Sequence, residues 1–488
     1  MVFARPWQIE KTLGIQMCPP FFYGTGSILF EVACMIYKKG VGYWNALIVS
    51  VGGIVSEAGY AVYSLNFRYP LLSYQYNLMN NVNEHMDKSK AASSREEQIL
   101  EQAKAEKFAK LLAGSIVKNT STSASSSSES SEYFNQTSEG LMTAIILLVS
   151  EYGRGAERHV VSVFRLIIDL NGLSEGSTEA LQKNRLEQLF ETLPENHRAK
   201  LFAGASTKAD VRTSMNIFSS ALGKLVSFID AELEQMICEH STELNTEDFI
   251  KRPTIIFLIV PDEDTTKHFF ASLFIRNMMN ELIAIAERQH PQQVLPRRVI
   301  CEWDEFGQIP PIKDFSTLVT AARSRGIRFT VALQSLGQLE DKYSQAQAKI
   351  IRQAFQMTMF SYQSPNALDT AKEFSKVLGN YTTQGGSVSR GDRNDSHSVQ
   401  LMGRALMTEE EIITMPQGEW VLIKSGCHPV KNKLPPYYKM FKDKGKPEGL
   451  PVYQSGHVKE VCYLTEEKMR MRAQALFVIT PGMFDKEY

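Results

Sequence analysis

The sequence predicts an α/β fold: an open, mostly parallel sheet with an inserted all-α domain. Three observations carry that expectation. Residues 254–260 (TIIFLIV) form an almost unbroken apolar run, as a strand covered on both faces of a parallel sheet requires. Residues 297–338 read as strand, helix, strand, and both apolar runs stop at polar groups. Val299-Ile300-Cys301 leads to Asp304-Glu305, and residues 327–333 stop at Gln334-Ser335. Between residues 154 and 251, apolar side chains recur at three- and four-residue spacing with no strand signal, the pattern of a helical insertion.

Taken in order, residues 1–20 have no clear period and read as a leader or loop. Gly24-Thr25-Gly26-Ser27 then precede a mixed apolar run over residues 28–37. A glycine-rich turn entering a helix would suit a phosphate cradle, because backbone N–H groups there face an anion. The full GxxxxGK[ST] pattern is absent, Ile28-Leu29 standing where Gly-Lys-Ser/Thr would follow, and a simple turn is the plainer account of GTGS. Residues 46–51 with Gly52-Gly53 read as a strand and turn. Residues 59–66 read as another strand with Ala61, Tyr63 and Leu65 alternating, and Pro70 keeps residues 67–76 out of a central strand. Residues 80–117 are charged and helix-prone, and the Ser/Thr tract at 118–132 is too polar to build a core.

Helical patterns follow at 140–152, 158–170, 183–193 and 211–239. After the strand at 254–260, Asp262 and Asp264 are better explained as helix caps than as catalytic acids, and residues 265–288 continue as an amphipathic helix. The helix at 315–323 ends in Arg323-Ser324-Arg325-Gly326. Beyond Gln334 come a strand at 355–361, a helix at 364–378 closed by Gly379, and a turn-rich loop or weak hairpin at 382–398. The Arg390-Gly391-Asp392 triplet in that loop reads as a solvated turn. A short acidic helix (407–416), a final strand (419–424) and a Lys- and Pro-rich surface tail complete the chain.

With 488 residues there is room for two or three domains. Lys plus Arg (53) nearly balance Asp plus Glu (54), so overall charge announces no nucleic-acid binder. The six cysteines are scattered without a CxxC pair, which gives neither a disulfide framework nor a zinc site; Cys427-His428 lack further spaced ligands. No segment reaches the roughly 20 apolar residues of a spanning helix. The best runs, 46–55 and 141–149, are far shorter, and the chain as given is expected to be soluble.

The chemistry concentrates at Asp304-Glu305. Phosphate-ester hydrolysis uses one acid to hold Mg²⁺, another to orient water, and a polar sensor nearby. Two solvated acids capping a buried strand would look the same. The order of elements is more specific: a strand ending in GYAVYSLN, a helical insertion, then strands ending in VPDED, WDEF and LQSLGQL, with AARSRG between the last two. Together with LNFRYPLLSYQYN (Asn66, Pro70, Ser73, Tyr76-Asn77) and the ALMTEEE and PQGEWVLI segments, this resembles the type IV coupling proteins. These are the TraG/TraD-like conjugative DNA-transfer ATPases of the FtsK/HerA group.

The resemblance implies a RecA-like P-loop NTPase-type domain over 59–153 and 252–433, an all-α insertion over 154–251, and a C-terminal tail over 434–488. It implies ATP and Mg²⁺ as cofactors. Asp304 would bind Mg²⁺, Glu305 would polarise water, Arg323 would reach the γ-phosphate in a neighbouring subunit, and Gln334 would sense phosphate state. The implied partners are single-stranded DNA with its relaxase, type IV secretion channel components, and further copies in a homo-oligomeric ring such as a hexamer. The implied place is the cytoplasmic face of the bacterial inner membrane. Two departures stand out. Family members carry N-terminal membrane helices, and residues 1–58 show none. They also carry a complete cradle, whereas Gly24, Thr25, Gly26 and Ser27 lack the lysine and the following hydroxyl. Residues 1–58 are therefore a degenerate or rearranged N-terminal segment, and hydrolysis is expected to be much reduced. The alternative is a truncated, catalytically impaired relative that keeps only substrate docking. A generic α/β binding protein with an incidental acid pair is a third reading.

Overall fold

The computed structural model describes residues 31–37, 59–119, 129–171, 185–209, 211–261, 267–289, 291–304, 306–390, 395–433 and 459–479. They fall into two compact units, residues 31–332 with 459–479, and residues 333–433. The division cuts through the expected 252–433 half of the nucleotide-binding domain.

The first unit holds a five-stranded sheet in the order β2-β3-β1-β4-β5, every pairing parallel. Its strands are β1 (Glu31–Tyr37), β2 (Ala61–Asn66), β3 (Thr254–Ile259), β4 (Arg298–Trp303) and β5 (Ile327–Val331). The apolar run at β3 is buried along nearly its whole length, as its composition requires. In β4 the alternation is literal: Val299, Cys301 and Trp303 are buried and the residues between them are half-buried. The sequence assigns no element to the mixed apolar run that holds β1; the strand lies between β3 and β4. The strand expected at residues 46–51 lies outside the described residues.

Between β2 and β3 the described residues from Asn80 onward are helical, as the patterns at 80–117 and 140–239 predict. The run 80–117 forms two helices, Asn80–Ala91 and Arg95–Asn119. Ser94 divides them by accepting from the Glu97 backbone N–H (3.1 Å), a side-chain cap that the charge pattern concealed. The next helix, Glu129–Tyr152, takes in the end of the Ser/Thr tract and buries residues 141–149 completely, so this apolar run is a core helix. Asp230 breaks the run 211–239 by capping the Ala231–Ile237 helix, accepting from the Glu232 and Leu233 N–H groups (both 2.9 Å).

The helix His268–Arg288 follows β3 and lies largely inside the core. Among the described residues it is the one helix long and apolar enough to cross a membrane, and 67% of its apolar window is buried within the protein. The polar residues Arg276, Asn277 and Glu281 hid it from a search for unbroken apolar runs. Phe269 and Phe270 pack edge-on against Phe228 of the helical layer (both 4.9 Å between ring centroids), and Phe270 stacks on Phe67 beyond β2.

The expected C-terminal tail is partly structured in this unit. The helix Glu466–Ile479 docks through buried Met469 and Ala473, with buried Leu464 just before it. Arg472 (2.6 Å) and Lys468 (3.2 Å) both reach the Glu157 carboxylate. Despite its burial, Glu157 is held at a pKa of about 2 by bonds from Arg472, the Arg154 backbone and Lys468. The Lys-rich composition that suggested a solvated tail thus includes two cations that fasten it.

The second unit contains an antiparallel sheet, β10-β9-β6, from β6 (Met357–Phe360), β9 (Glu419–Lys424) and β10 (Val430–Lys433). Phe360 of β6 stacks on Phe374 of the Leu368–Leu378 helix (4.1 Å), within a core that includes Ile412 and Val421. The polar stretch after Gly379 is a long hairpin, β7 (Asn380–Arg390) with β8 (Asp395–Ala405). Backbone pairing needs no apolar alternation, which is why its sequence left a loop and a weak hairpin both open.

Candidate functional site at the carboxyl edge of the parallel sheet

Because all five strands run the same way, their carboxyl ends share one edge. β1 and β4 are neighbours whose chains leave in opposite directions, toward β2 on one side and β5 on the other. The crevice at such a reversal is where open α/β sheets bind ligands. Asp304 is the first residue beyond β4 at this point and is half-buried.

Its position is fixed by what precedes and follows it. Trp303 is 1% exposed and sits among Phe306 (5.4 Å), Phe315 (5.5 Å) and Phe329 (5.1 Å). The Ala332 N–H donates to the Trp303 carbonyl (2.9 Å), and the Phe306 N–H donates back to the Ala332 carbonyl (3.0 Å). Asp304 is thus held between two backbone bonds to the end of β5. The loop after it is pinned in turn. Ser272 donates to the Pro310 carbonyl (3.2 Å), Arg276 pairs with Asp314 (3.6 Å), and Lys313 approaches Glu139 (3.8 Å). Burial lowers the Arg276 pKa, opposed by the Asp314 charge. Sequence reading did not single out Arg276 or Lys313; a lone arginine within an apolar helix was the available signal.

The residues that follow β2 prove to be structural. Asn66 Oδ1 accepts from the Arg68 and Tyr69 N–H groups (both 3.1 Å), and its own N–H donates to Ser73 Oγ (2.9 Å). Tyr76 accepts from Asn277 Nδ2 (2.9 Å), and burial raises its pKa well above the ordinary tyrosine value. Asn77 donates to the Arg158 carbonyl (2.8 Å). At the start of the helix after β3, His268 is buried and its Nε2 meets the Pro261 carbonyl at 2.6 Å.

Arg323 stands elsewhere. The helix Phe315–Ala322 returns antiparallel to the strands, so its last turn, Arg323–Arg325, opens onto the amino end of β5. The Val299 N–H, at the start of β4, donates to the Gly326 carbonyl (3.1 Å) and marks the same edge. A strand the length of β5 spans about 16 Å. Arg323 and Asp304 of one chain therefore lie at opposite ends of the strands; the resemblance assigns Arg323 to the site of a neighbouring subunit. Gln334 belongs to the second unit, where its N–H donates to Gln338 Oε1 (2.9 Å) and its own Oε1 accepts from Gln338 Nε2 (3.3 Å). Glu305, Asp262, Asp264 and the candidate cradle Gly24, Thr25, Gly26 and Ser27 lie outside the described residues. The first described segment after that cradle is the strand β1.

Among the described residues no three His, Cys, Asp or Glu side chains gather as a metal cage. A single strand-end carboxylate is instead what Mg²⁺ uses when it is shared with nucleotide phosphates and keeps most of its water. The Asp304 half of such a site fits. Its phosphate half falls outside the described residues.

Comparison with known proteins gives a consistent result. Residues 46–474 match the family described as type IV secretory system conjugative DNA transfer. The conjugal transfer proteins TraG of Rhizobium radiobacter and Agrobacterium fabrum are each 29% identical over 134 residues, 26% of this chain. The match spans only 20% of the length of either relative. Among solved structures, the unbound conjugative coupling protein TrwB matches with a TM-score of 0.53 at 13% identity, over 83% of this chain and 84% of that one. TrwB with a non-hydrolysable ATP analogue matches with 0.52 at 14% identity, over 83% and 85%. At this identity the likeness establishes a shared RecA-like fold.

Proposed function

Because the chain belongs to the type IV secretory system conjugative DNA transfer family, we propose that it is a coupling-protein-type DNA-translocating ATPase. It would link relaxase-bound single-stranded DNA to the channel of a conjugative type IV secretion system at the cytoplasmic face of the inner membrane. The single observation that carries this reading is the placement of Asp304, at the end of a central parallel strand and beside the topological reversal between β1 and β4. There it would hold Mg²⁺ against the phosphates of ATP, and Glu305 next to it would orient the attacking water. Bound Mg²⁺ would neutralise charge on the phosphoryl group during transfer.

The separation of Arg323 from Asp304 supports assembly as a homo-oligomeric ring. An arginine on the opposite sheet edge serves the Asp304 site of a neighbouring copy, not its own. Gln334, three residues past β5, would sense phosphate state.

A second reading is favoured by one specific feature. A phosphate cradle needs a helix directly after its glycine-rich turn, and the chain forms β1 four residues after Ser27. On that reading the chain docks transfer substrates without hydrolysing nucleotide. Magnesium-dependent ATP turnover by the full chain, with and without single-stranded DNA, separates the two. Turnover lost on Glu305→Gln supports the motor, and absence of both turnover and ATP binding supports the docking module.

A further inference from the structure

The loop that begins at Asp304 reaches the helical layer through Lys313, and that layer is shaped to receive it. The helix Arg95–Asn119 carries one glycine, Gly114, buried in its interior. A glycine there weakens a helix relative to alanine, so its place calls for a packing reason. A Cβ at Gly114 would overlap Lys313 Nζ and stand 2.8 Å from Glu139 Oε1. The missing side chain leaves a notch in which the Lys313 ammonium lies 3.8 Å from the carboxylate of Glu139, on the helix Glu129–Tyr152. Only 14% of the Lys313 side chain is exposed. The atoms that an added methyl would meet are the ends of flexible side chains, so alanine would displace charges and leave the helices in place.

From Glu139 the contact runs into the body of the helical layer. Lys224 of the helix Val211–Leu225 donates to Asn135 Oδ1 (2.8 Å), one turn before Glu139, and Ser138 Oγ donates to the Ile217 carbonyl (3.5 Å). From Lys313 it runs to the site. Asp314, the next residue, takes the left-handed conformation at φ +57°, which a residue with a side chain seldom adopts. Its carboxylate pairs with Arg276 of the core helix (3.6 Å). Phe315 then packs on Phe306 (5.1 Å) and on Trp303 (5.5 Å), the residue directly before Asp304. Lys313 and Asp314 thus face two different layers, and the buried Phe315 and Trp303 rings carry the contact on to Asp304.

We propose that Lys313 is a positioning residue for the Asp304 site, tethered to the helical layer through Glu139 in the notch at Gly114. It acts through other residues: fixing Phe315 fixes the packing of Trp303, and with it the direction in which the Asp304 carboxylate would meet Mg²⁺. A charge pair largely withdrawn from water loses more on breaking than an exposed one, which makes this contact a firm link. A displacement of the helix Glu129–Tyr152 would therefore reach the metal-binding acid without any contact to nucleotide. The proposal rests on the ATPase reading above and gives the route by which the helical layer bears on the hydrolytic site.

The test is a cycle of Gly114→Ala, Lys313→Met and the double variant in the full chain, read by amide hydrogen exchange and by ATP turnover. Each single variant should speed exchange over residues 306–315 by about fivefold or more, as loss of a largely buried charge contact would. The reporters are the Phe306, Ile309 and Phe315 N–H groups, which donate to the Ala332, Phe306 and Ile312 carbonyls. Residues 254–259 of β3 should exchange as in wild type. The double variant should match Lys313→Met alone, because the alanine methyl then has no ammonium to displace. In turnover, the magnesium concentration for half-maximal rate should rise about threefold or more in each single variant, by a larger factor than the rate at saturating magnesium falls. Gly114→Ala that exchanges as slowly as wild type, as a plain helical glycine would allow, overturns the tether. Additive effects in the double variant overturn it too. Faster exchange with an unchanged magnesium requirement makes the contact structural only and overturns the positioning role. A wild type that turns over no ATP removes the hydrolytic reading and the positioning role with it, while the exchange cycle still decides the tether.

Discussion

The two edges of the parallel sheet differ in how they are built. At the carboxyl edge one acid, Asp304, is fixed by a buried tryptophan and two backbone bonds to β5. At the amino edge several arginines share a surface, and Arg323 is exposed on a short 3-10 turn. The first arrangement suits a group that must hold one geometry during a reaction. The second suits a contact that is made and released with a neighbouring copy. The lesson is that strand direction sorts chemistry: residues 19 apart in sequence, at the two ends of one strand-to-helix excursion, end on opposite faces of the assembly problem.

This contrast can be broken experimentally, beginning with the largest effect. Arg323→Gln should reduce ATP turnover by about a thousandfold or more if it completes a neighbour's site, the range for arginines supplied in trans. Asp304→Asn should lower turnover about a hundredfold or more and abolish its magnesium dependence, with the circular dichroism spectrum unchanged. Trp303→Ala attacks the scaffold instead; it should destabilise the first unit by about 3–5 kcal/mol in a denaturant titration. A smaller loss, about 1 kcal/mol, is expected for Asn66→Ala, which removes the acceptor for the Arg68 and Tyr69 N–H groups. Gly326→Ala should cost about 1–2 kcal/mol, because the turn into β5 holds Gly326 at φ +85° and an added Cβ would stand 3.3 Å from Val294 Cγ1. A Trp303→Ala protein that is fully stable yet inactive would blur the distinction between scaffold and chemistry at the carboxyl edge.

Much of this architecture was legible in the amino-acid order. The β3 run is apolar because both its faces are covered, and it ends within a residue of the expected place. The β4–helix–β5 unit and the site of Asp304 follow from alternation and punctuation. What stayed hidden had physical causes. The β1 segment EVACMIY carries no strict period, and its neighbours β3 and β4 come more than 200 residues later. The Glu466–Ile479 helix adds Arg472 and Lys468 on Glu157 to a few buried apolar contacts, so its polar composition resembled a solvated tail. The opposition of Arg323 and Asp304 required knowing that β4 and β5 are parallel neighbours, a property of topology that no local window contains.

The central claim is that the two edges act together only between copies. Asp304→Asn and Arg323→Gln chains, each nearly inactive alone, can be mixed before assembly and assayed for magnesium-dependent ATP hydrolysis. Mixed assemblies contain some interfaces where an intact Asp304 meets an intact Arg323, so the account predicts that the mixture recovers a substantial fraction of wild-type turnover. Turnover in the mixture no higher than the average of the separate variants, alongside an active wild type, would contradict it.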